Sequence, residues 1–410
     1  MSVRKRTWTT NGVEKTAWVV DYVDSQGTRR LKTFQKKKDA DTFAATAHME
    51  VREGTHVADG ASATVLEAGK LWIAAKDRAG RERSTVDQYR QHVELHIGAF
   101  IGHVRLNALT MPTLRKFEDD LLDAGRSPAM VRKVFVSLGS LIADAQERGL
   151  VARNIVREMR GRRGSADAKA AKRAKGKLKV GVDIPTPAEV KAIVGALQGR
   201  WRPVLLTAIF TGLRASELRG LRWADVELDR KILHVRQRAD RYDDIGQPKS
   251  EAGEREVPLP PIVVNTLREW RLTCPRRDTG RKDDDGQPIK ELDLVFPNGK
   301  GKVESLANMI NRGLLPAQLR AGVIFDTGVV DEQGNAIAAP KYTGMHALRH
   351  FYASWCINRP QDGGLGLPPK VVQERLGHAT INLTMDTYSH LFPRGEDQDE
   401  MAAAENILLR

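Results

Sequence analysis

HALRHFYASW (residues 346–355) and LGHATINLTMDTYSHLF (residues 376–392) are the stretches on which the reading of this chain turns. From Met345 to Phe392 the pattern is helical, apart from a proline- and glycine-rich break at 360–369. In the first stretch His346 and Arg349 stand three apart on one helical face. In the second, His378 opens a helix and Tyr388 follows ten residues on. Taken singly, each has an ordinary explanation: a satisfied core histidine beside a surface arginine, and a tyrosine packed among apolar neighbours.

Upstream, this half of the chain starts at Thr186-Pro187-Ala188-Glu189, a capping box with proline in the first helical position. That helix is expected to run to about Gly199. An apolar helix follows from Trp201 to Phe210 and breaks at Thr211-Gly212. TGLRASEL (211–218) then sets Arg214 just after the break, at the start of a helix that carries Glu217. Ile232 to Val235 and Glu256 to Leu259 read as strands, with Lys249 between them in GQPKSEAGEREVPL (246–259). Helices resume over Ile262 to Leu272 and from Ser305. Residues 276–290 and 326–340 are polar and glycine-rich and read as surface excursions.

Before this half lies GRRGSADAKAAKRAKGKLK (161–179). With Arg160 it holds nine Lys/Arg against one acid, Asp167, and no apolar periodicity. It reads as a flexible basic linker, 161–183. Residues 62–160 read as a helical bundle. Thr64 is expected to cap a helix with Val65, Ala68, Leu71 and Trp72 inward, and Ser84 the next, with Val86, Tyr89, Val93 and Ile97 as its stripe. Thr110 with Pro112, and Ser127 with Pro128, open two more, the last running through Val131, Val134, Phe135, Leu138, Leu141 and Ile142. Residues 1–58 read as a β-β-β-α unit: a strand from Trp8, then Ala17 to Tyr22 and Arg29 to Phe34 around a turn at 25–27. A helix from about Lys37 follows, with Ala40, Phe43, Ala44 and Ala47 on one face. Its sheet is basic, fitting either a DNA groove reader or a structural module with solvated charges. The tail, 396–410, begins acidic (Glu396, Asp397, Asp399, Glu400) and is expected to end in a short helix.

At 410 residues the chain calls for two or three domains. A formal charge of +14 favours an anionic partner, of which nucleic acid is the commonest. Cys274 and Cys356 are in no metal-ligand spacing and read as free thiols in a reducing compartment. No apolar run approaches the roughly 20 residues of a membrane span, and MSVRKRTWTT lacks the apolar stretch of a signal peptide. A cytoplasmic, nucleoid-associated protein is the expectation.

Attack on a phosphodiester builds negative charge on its non-bridging oxygens, a load that planar, always-charged guanidiniums carry well. A nucleophile, a base for it and an acid for the leaving oxygen complete such a site. Arg214 with Glu217, Lys249, His346 with Arg349, Leu376-Gly377-His378 and Tyr388 come in the order and spacing of the tyrosine recombinases, the phage-type integrases, and this half of the chain resembles that family over 184–395. The resemblance implies a catalytic domain of mixed but mainly helical structure there, a helical core-binding domain at 62–160 and an arm-type DNA-binding domain at 1–58.

It also implies roles. Tyr388 is the nucleophile that leaves a 3′-phosphotyrosyl bond, and His346 is its base. Arg214 and Arg349 hold the phosphate, with a further hydrogen bond from His378, and Lys249 protonates the departing 5′-oxygen. Glu217 and His350 support these groups. Implied partners are double-stranded DNA attachment sites, four protomers on synapsed DNA and accessory bending or excision factors, with integration or excision of a mobile element as the task. No cofactor or metal is called for. A zinc site on His346, His350 and His378 is disfavoured because paired arginines repel a cation. The rival readings are a type IB topoisomerase and a non-catalytic DNA-binding protein.

Overall fold

The computed structural model describes residues 1–10, 13–24, 27–53, 56–57, 62–163, 177–330, 333, 336–393 and 405–409, in helix and sheet. They form two compact units, Met1–Lys175 and Gly176–Arg410.

In the first unit an antiparallel sheet runs β1 (Ser2–Thr10), β2 (Val13–Val23), β3 (Arg29–Phe34), followed by α1 (Lys37–Arg52). Val20 and Tyr22 of β2 bury against Ala40 of α1, with Trp18, Phe34 and Phe43 around them. Side chains alternate along a strand, so the residues one step out of phase face the other way. Arg4 opposite Val19, Arg6 opposite Ala17, and Trp8 opposite Lys15 lie on that second face. Trp8 and Leu31 are exposed there. Two residues of the expected turn, Ser25 and Gln26, lie outside the described residues.

The bundle of the first unit comprises α2 (Val65–Arg78), α3 (Arg83–Gln91), a π-helical turn (His92–Ile97), α4 (Gly98–Ile101), α5 (Met111–Asp123), α6 (Pro128–Glu147) and α7 (Ile155–Arg163). Thr64 and Glu67 form a reciprocal capping box, and Thr110 and Ser127 cap α5 and α6 as expected. Each such cap contributes about 1 kcal/mol. Two expectations fail. Leu71 is exposed: the stripe of Val65, Ala68 and Trp72 leaves it one residue, about 100° of turn, off the buried face. Ser84 lies inside α3, which starts at Arg83 after an uncapped Glu82.

The boundary drawn at 160/161 falls inside α7, which continues to Arg163. Residues 164–176 of the expected linker lie outside the described residues. Residues 177–183 belong to the second unit, where Leu178 packs on its core and its carbonyl accepts a hydrogen bond from His390 Nε2. One leucine among lysines leaves no periodic signal, so residue order alone does not announce this packing.

The second unit begins with α8 (Pro187–Ala196), α9 (Trp201–Thr211) and α10 (Ala215–Gly220). The expected Thr186–Glu189 capping box is present. A sheet of order β4-β5-β8 follows, from β4 (Val226–Glu227), β5 (Ile232–Val235) and β8 (Arg255–Pro258). Inserted between β5 and β8 are the short hairpin β6 (Arg238–Ala239) and β7 (Ile245–Gly246), then the segment bearing Lys249. After α11 (Pro261–Thr273), the two regions read as surface excursions are exposed antiparallel hairpins: β9 (Arg277–Lys282) with β10 (Pro288–Glu291), and β11 (Ile324–Val330) with β12 (Ala336–Pro340). Both are largely exposed and so lack the alternation that announces a half-buried strand. Between them run α12 (Leu306–Asn308), a π-helical turn and α13 (Leu315–Arg320). The unit closes with α14 (His346–Ile357), α15 (Pro369–Leu376) and α16 (Ile381–Tyr388). Residues 405–408 form the expected short terminal helix, while Glu396, Asp397, Asp399 and Glu400 lie outside the described residues.

Candidate active site

The site forms where the C-terminal ends of α9 and α15 meet the N-terminal ends of α10 and α14, with Tyr388 brought in at the C-terminal end of α16. Gly212 ends α9 in the left-handed region, at φ 61°. A Cβ there would fall 2.3 Å from Tyr352 Cδ1, so both backbone and space demand glycine. The turn delivers Arg214 to the N-cap of α10. The Arg214 amide donates to Glu217 Oε2 (2.8 Å), its guanidinium to Glu217 Oε1 (2.7 Å) and to the Gly377 carbonyl (2.9 Å). Arg349, on α14, is buried and donates to the Gly212 carbonyl (2.6 Å) and the Leu376 carbonyl (2.5 Å). Two carbonyls from opposite sides thus fix the plane of its guanidinium. Burial, then the like charge of Arg214, push the Arg349 pKa down to about 9, so it remains a cation at neutral pH.

Glu217 is only 3% exposed. Burial alone would raise its pKa, but the charge and hydrogen bonds of Arg255, followed by those of Arg214, outweigh it and hold the carboxyl down at about 2. Arg255 was not singled out from the sequence, although it sits within GQPKSEAGEREVPL. It donates to both Glu217 oxygens (3.2 and 2.8 Å) and to the Arg375 carbonyl (2.8 Å).

Gly377 caps α15 at φ 61°. A Cβ there would lie 2.8 Å from both the Ala252 carbonyl oxygen and an Arg255 nitrogen. His378 follows, its Nδ1 2.8 Å from the buried Thr384 hydroxyl. Burial first, then Arg349 and Arg214, push the His378 pKa down to about 3. Its ring lies parallel to that of Tyr388, with centroids 6.4 Å apart.

Tyr388 ends α16 and is 1% exposed. Burial pushes its hydroxyl up to about 12, against the pull of Arg349 and Arg214. The hydroxyl lies 2.7 Å from Nδ1 of His350. Burial, then His346 and Arg349, push the His350 pKa down to about 4. At neutral pH the imidazole is therefore uncharged, and a protonated phenol donates to it. The residue expected at this hydroxyl was His346, and the structure puts His350 there instead. Position 350 lies one residue, about 100° of helical turn, beyond Arg349, on the side of α14 that meets α16. His346 stacks edge-on to His350 at 4.6 Å, and its pKa is lowered by burial and by Arg349 and Arg214. Lys249 is exposed on the segment between β7 and the turn at Glu251–Gly253.

The fold therefore gathers Arg214, Glu217, His346, Arg349, His350, His378 and Tyr388 from segments up to about 170 residues apart, and leaves Lys249 on a loop. Two fixed guanidiniums beside a phenol held by a neutral imidazole suit nucleophilic attack on an anionic centre.

Comparison with known proteins bears on this arrangement directly. Residues 185–394 match the model of the phage integrase family. A XerC-like tyrosine recombinase of Caldanaerobacter subterraneus subsp. tengcongensis is 25% identical over 90% of this chain and 90% of its own length. The transposase of transposon Tn916 from Enterococcus faecalis is 29% identical over 45% of this chain and 41% of its own. Among solved structures, the Tn1549 transposon integrase with circular intermediate DNA has a TM-score of 0.60 at 17% identity, covering 84% of this chain and all of that one. A lambda integrase dimer bound to a COC′ core site has a TM-score of 0.53 at 15% identity, covering 96% of each. With the matched residues spanning the whole arginine–histidine–tyrosine cluster, the chain belongs to the phage integrase family and is a tyrosine site-specific recombinase.

Proposed function

We propose that this recombinase cuts and rejoins double-stranded DNA at attachment sites of a mobile element, with Tyr388 as nucleophile. Its oxygen attacks the scissile phosphorus, the bond to the 5′-oxygen breaks, and a 3′-phosphotyrosyl link stores the bond for resealing. Arg214 and Arg349 bind the non-bridging oxygens, joined by hydrogen bonds from His346 and His378. His350 takes the phenolic proton, and Lys249 supplies the proton that leaves with the 5′-hydroxyl. Glu217 holds Arg214. The observation that carries this reading is the 2.7 Å bond between the Tyr388 hydroxyl and His350, made beside two arginines.

The second unit from residue 177 onward acts as the catalytic domain, and 62–163 as the core-binding domain. Residues 1–58 act as the arm-binding domain, its basic sheet face with Arg4, Arg6 and Lys15 turned to the groove. The likeness to the Tn916 transposase favours a mobile element over plasmid relaxation by a topoisomerase. Four protomers on synapsed DNA follow from two cuts in each of two duplexes. That assembly has a parallel in the lambda integrase tetramer bound to a Holliday junction, whose structure this chain resembles at a TM-score of 0.50. Among the described residues no helix is long and apolar enough to cross a membrane. Accessory DNA-bending or excision factors complete the partner set.

Tyr388→Phe tests the assignment. On a nicked suicide duplex, which traps the covalent species, the variant is expected to bind DNA as the parent does and to form no adduct. An adduct surviving the substitution refutes the nucleophile.

A further inference from the structure

Arg255 has no chemical role in the scheme above, yet it binds the same carboxylate as Arg214. Its guanidinium spans three segments: Glu217 on α10, the Arg375 carbonyl on α15, and the Gly253 carbonyl (2.9 Å) in the turn that precedes its own strand. Its side chain is 6% exposed and that of Glu217 3%, whereas Arg214 is 36% exposed. The arrangement has a consequence for charge. Glu217 paired with Arg214 alone would form a neutral unit and cancel the charge that a phosphate needs. With Arg255 also bound to both carboxylate oxygens, the three groups sum to one positive charge, and the exposed member is Arg214.

We propose that Arg255 is a positioning residue for the phosphate subsite: it takes up the charge of Glu217, so that Glu217 can hold Arg214 in place without quenching it. The proposal rests on the reading of Arg214 as a phosphate ligand. The same side chain lies against Gly377, where any Cβ would meet its nitrogen at 2.8 Å, so it also fixes the turn that presents the Gly377 carbonyl to Arg214 and leads into His378.

The test uses the full-length protein and suicide duplexes whose scissile linkage is either a phosphate or a methylphosphonate, which lacks one anionic oxygen and needs less positive charge. Arg255→Met is expected to slow adduct formation on the phosphate on the order of 10- to 100-fold, somewhat below the loss of a direct oxyanion donor. On the methylphosphonate its deficit should shrink to within about threefold. Adding Glu217→Gln to Arg255→Met should recover part of the rate on the phosphate, because the charge to be balanced is gone. Equal deficits on both linkages, or no recovery in the double variant, overturn the proposal and leave Arg255 a structural residue. Should Arg255→Met fail to fold, Arg255→Lys keeps the charge and loses the fork. A rate within about fivefold of the parent then supports charge balance, and a larger deficit overturns it. Arg214→Ala separates the two levels: parental adduct formation by that variant would refute the phosphate-ligand reading itself.

Discussion

Replacing His350 with alanine separates the two histidines that could accept the nucleophile's proton. The tyrosine it serves is 1% exposed, so loss of His350 leaves its hydroxyl without the 2.7 Å partner. An unpaired buried hydroxyl costs about 1–3 kcal/mol, and a general base contributes ~10²- to 10⁴-fold in rate. The pKa values constrain the route. Burial pushes the phenol up to about 12 and the imidazole down to about 4, so full transfer ahead of attack is strongly uphill. The proton must therefore move as the bond to phosphorus forms rather than before it. A bound phosphate favours the imidazolium and disfavours the phenolate, and Arg214 and Arg349 offset the second effect. The acid limb of single-turnover cleavage should then lie higher with DNA bound than the value of about 4 in the free protein, since a nearby anion favours the imidazolium. Below that limb His350 is protonated and cannot accept, so the rate falls as pH falls. We expect His350→Ala to form adduct at least ~10²-fold more slowly than the parent at pH 7, to lose the acid limb, and to bind duplex as the parent does. His350→Ala cleaving within about threefold of the parent, while His346→Ala loses ~10²-fold, would refute this route and return the proton to His346.

Lys249→Ala should lose cleavage of an ordinary linkage by ~10²-fold or more but cut a 5′-bridging phosphorothiolate near the parental rate, since a thiolate departs without a proton; an equal loss on both excludes Lys249 as the acid. Glu217, held near pH 2 against an ordinary 4.5, contributes stability that is complete above about 4.5 and drains away as pH falls toward 2, about 3 kcal/mol in all. Between those values the melting temperature of Glu217→Gln should depend on pH less steeply than that of the parent, and parallel curves would contradict the assignment. Gly212→Ala places a Cβ 2.3 Å from Tyr352 in a left-handed turn, and should destabilise the catalytic unit by about 2–5 kcal/mol. A thermal midpoint unchanged within a degree would show that the turn tolerates a side chain.

What could be read from the residue order were the features written in short range. The caps at Thr64, Thr110, Ser127 and Thr186 join residues three apart, and the sequence motif that declares such a cap is also the structure that makes it. The identities of Arg214, Arg349, His378 and Tyr388 were legible because the resemblance fixes their order along the chain. The exposed hairpins at 277–291 and 324–340 were not, since strands wet on both faces carry no alternation.

Residue order supplies the side chains for the chemistry and the local elements that bear them. Which of them touch is a property of the folded chain. The Tyr388 hydroxyl finds His350 across 38 residues, Arg214 reaches the Gly377 carbonyl across 163, and Arg255 closes on Glu217 across 38. Contacts of that range depend on how helices pack. His346 and His350 sit one turn apart on the same face of α14, about 40° apart in heading and about 6 Å along the axis, and no local pattern encodes which of the two turns meets the nucleophile.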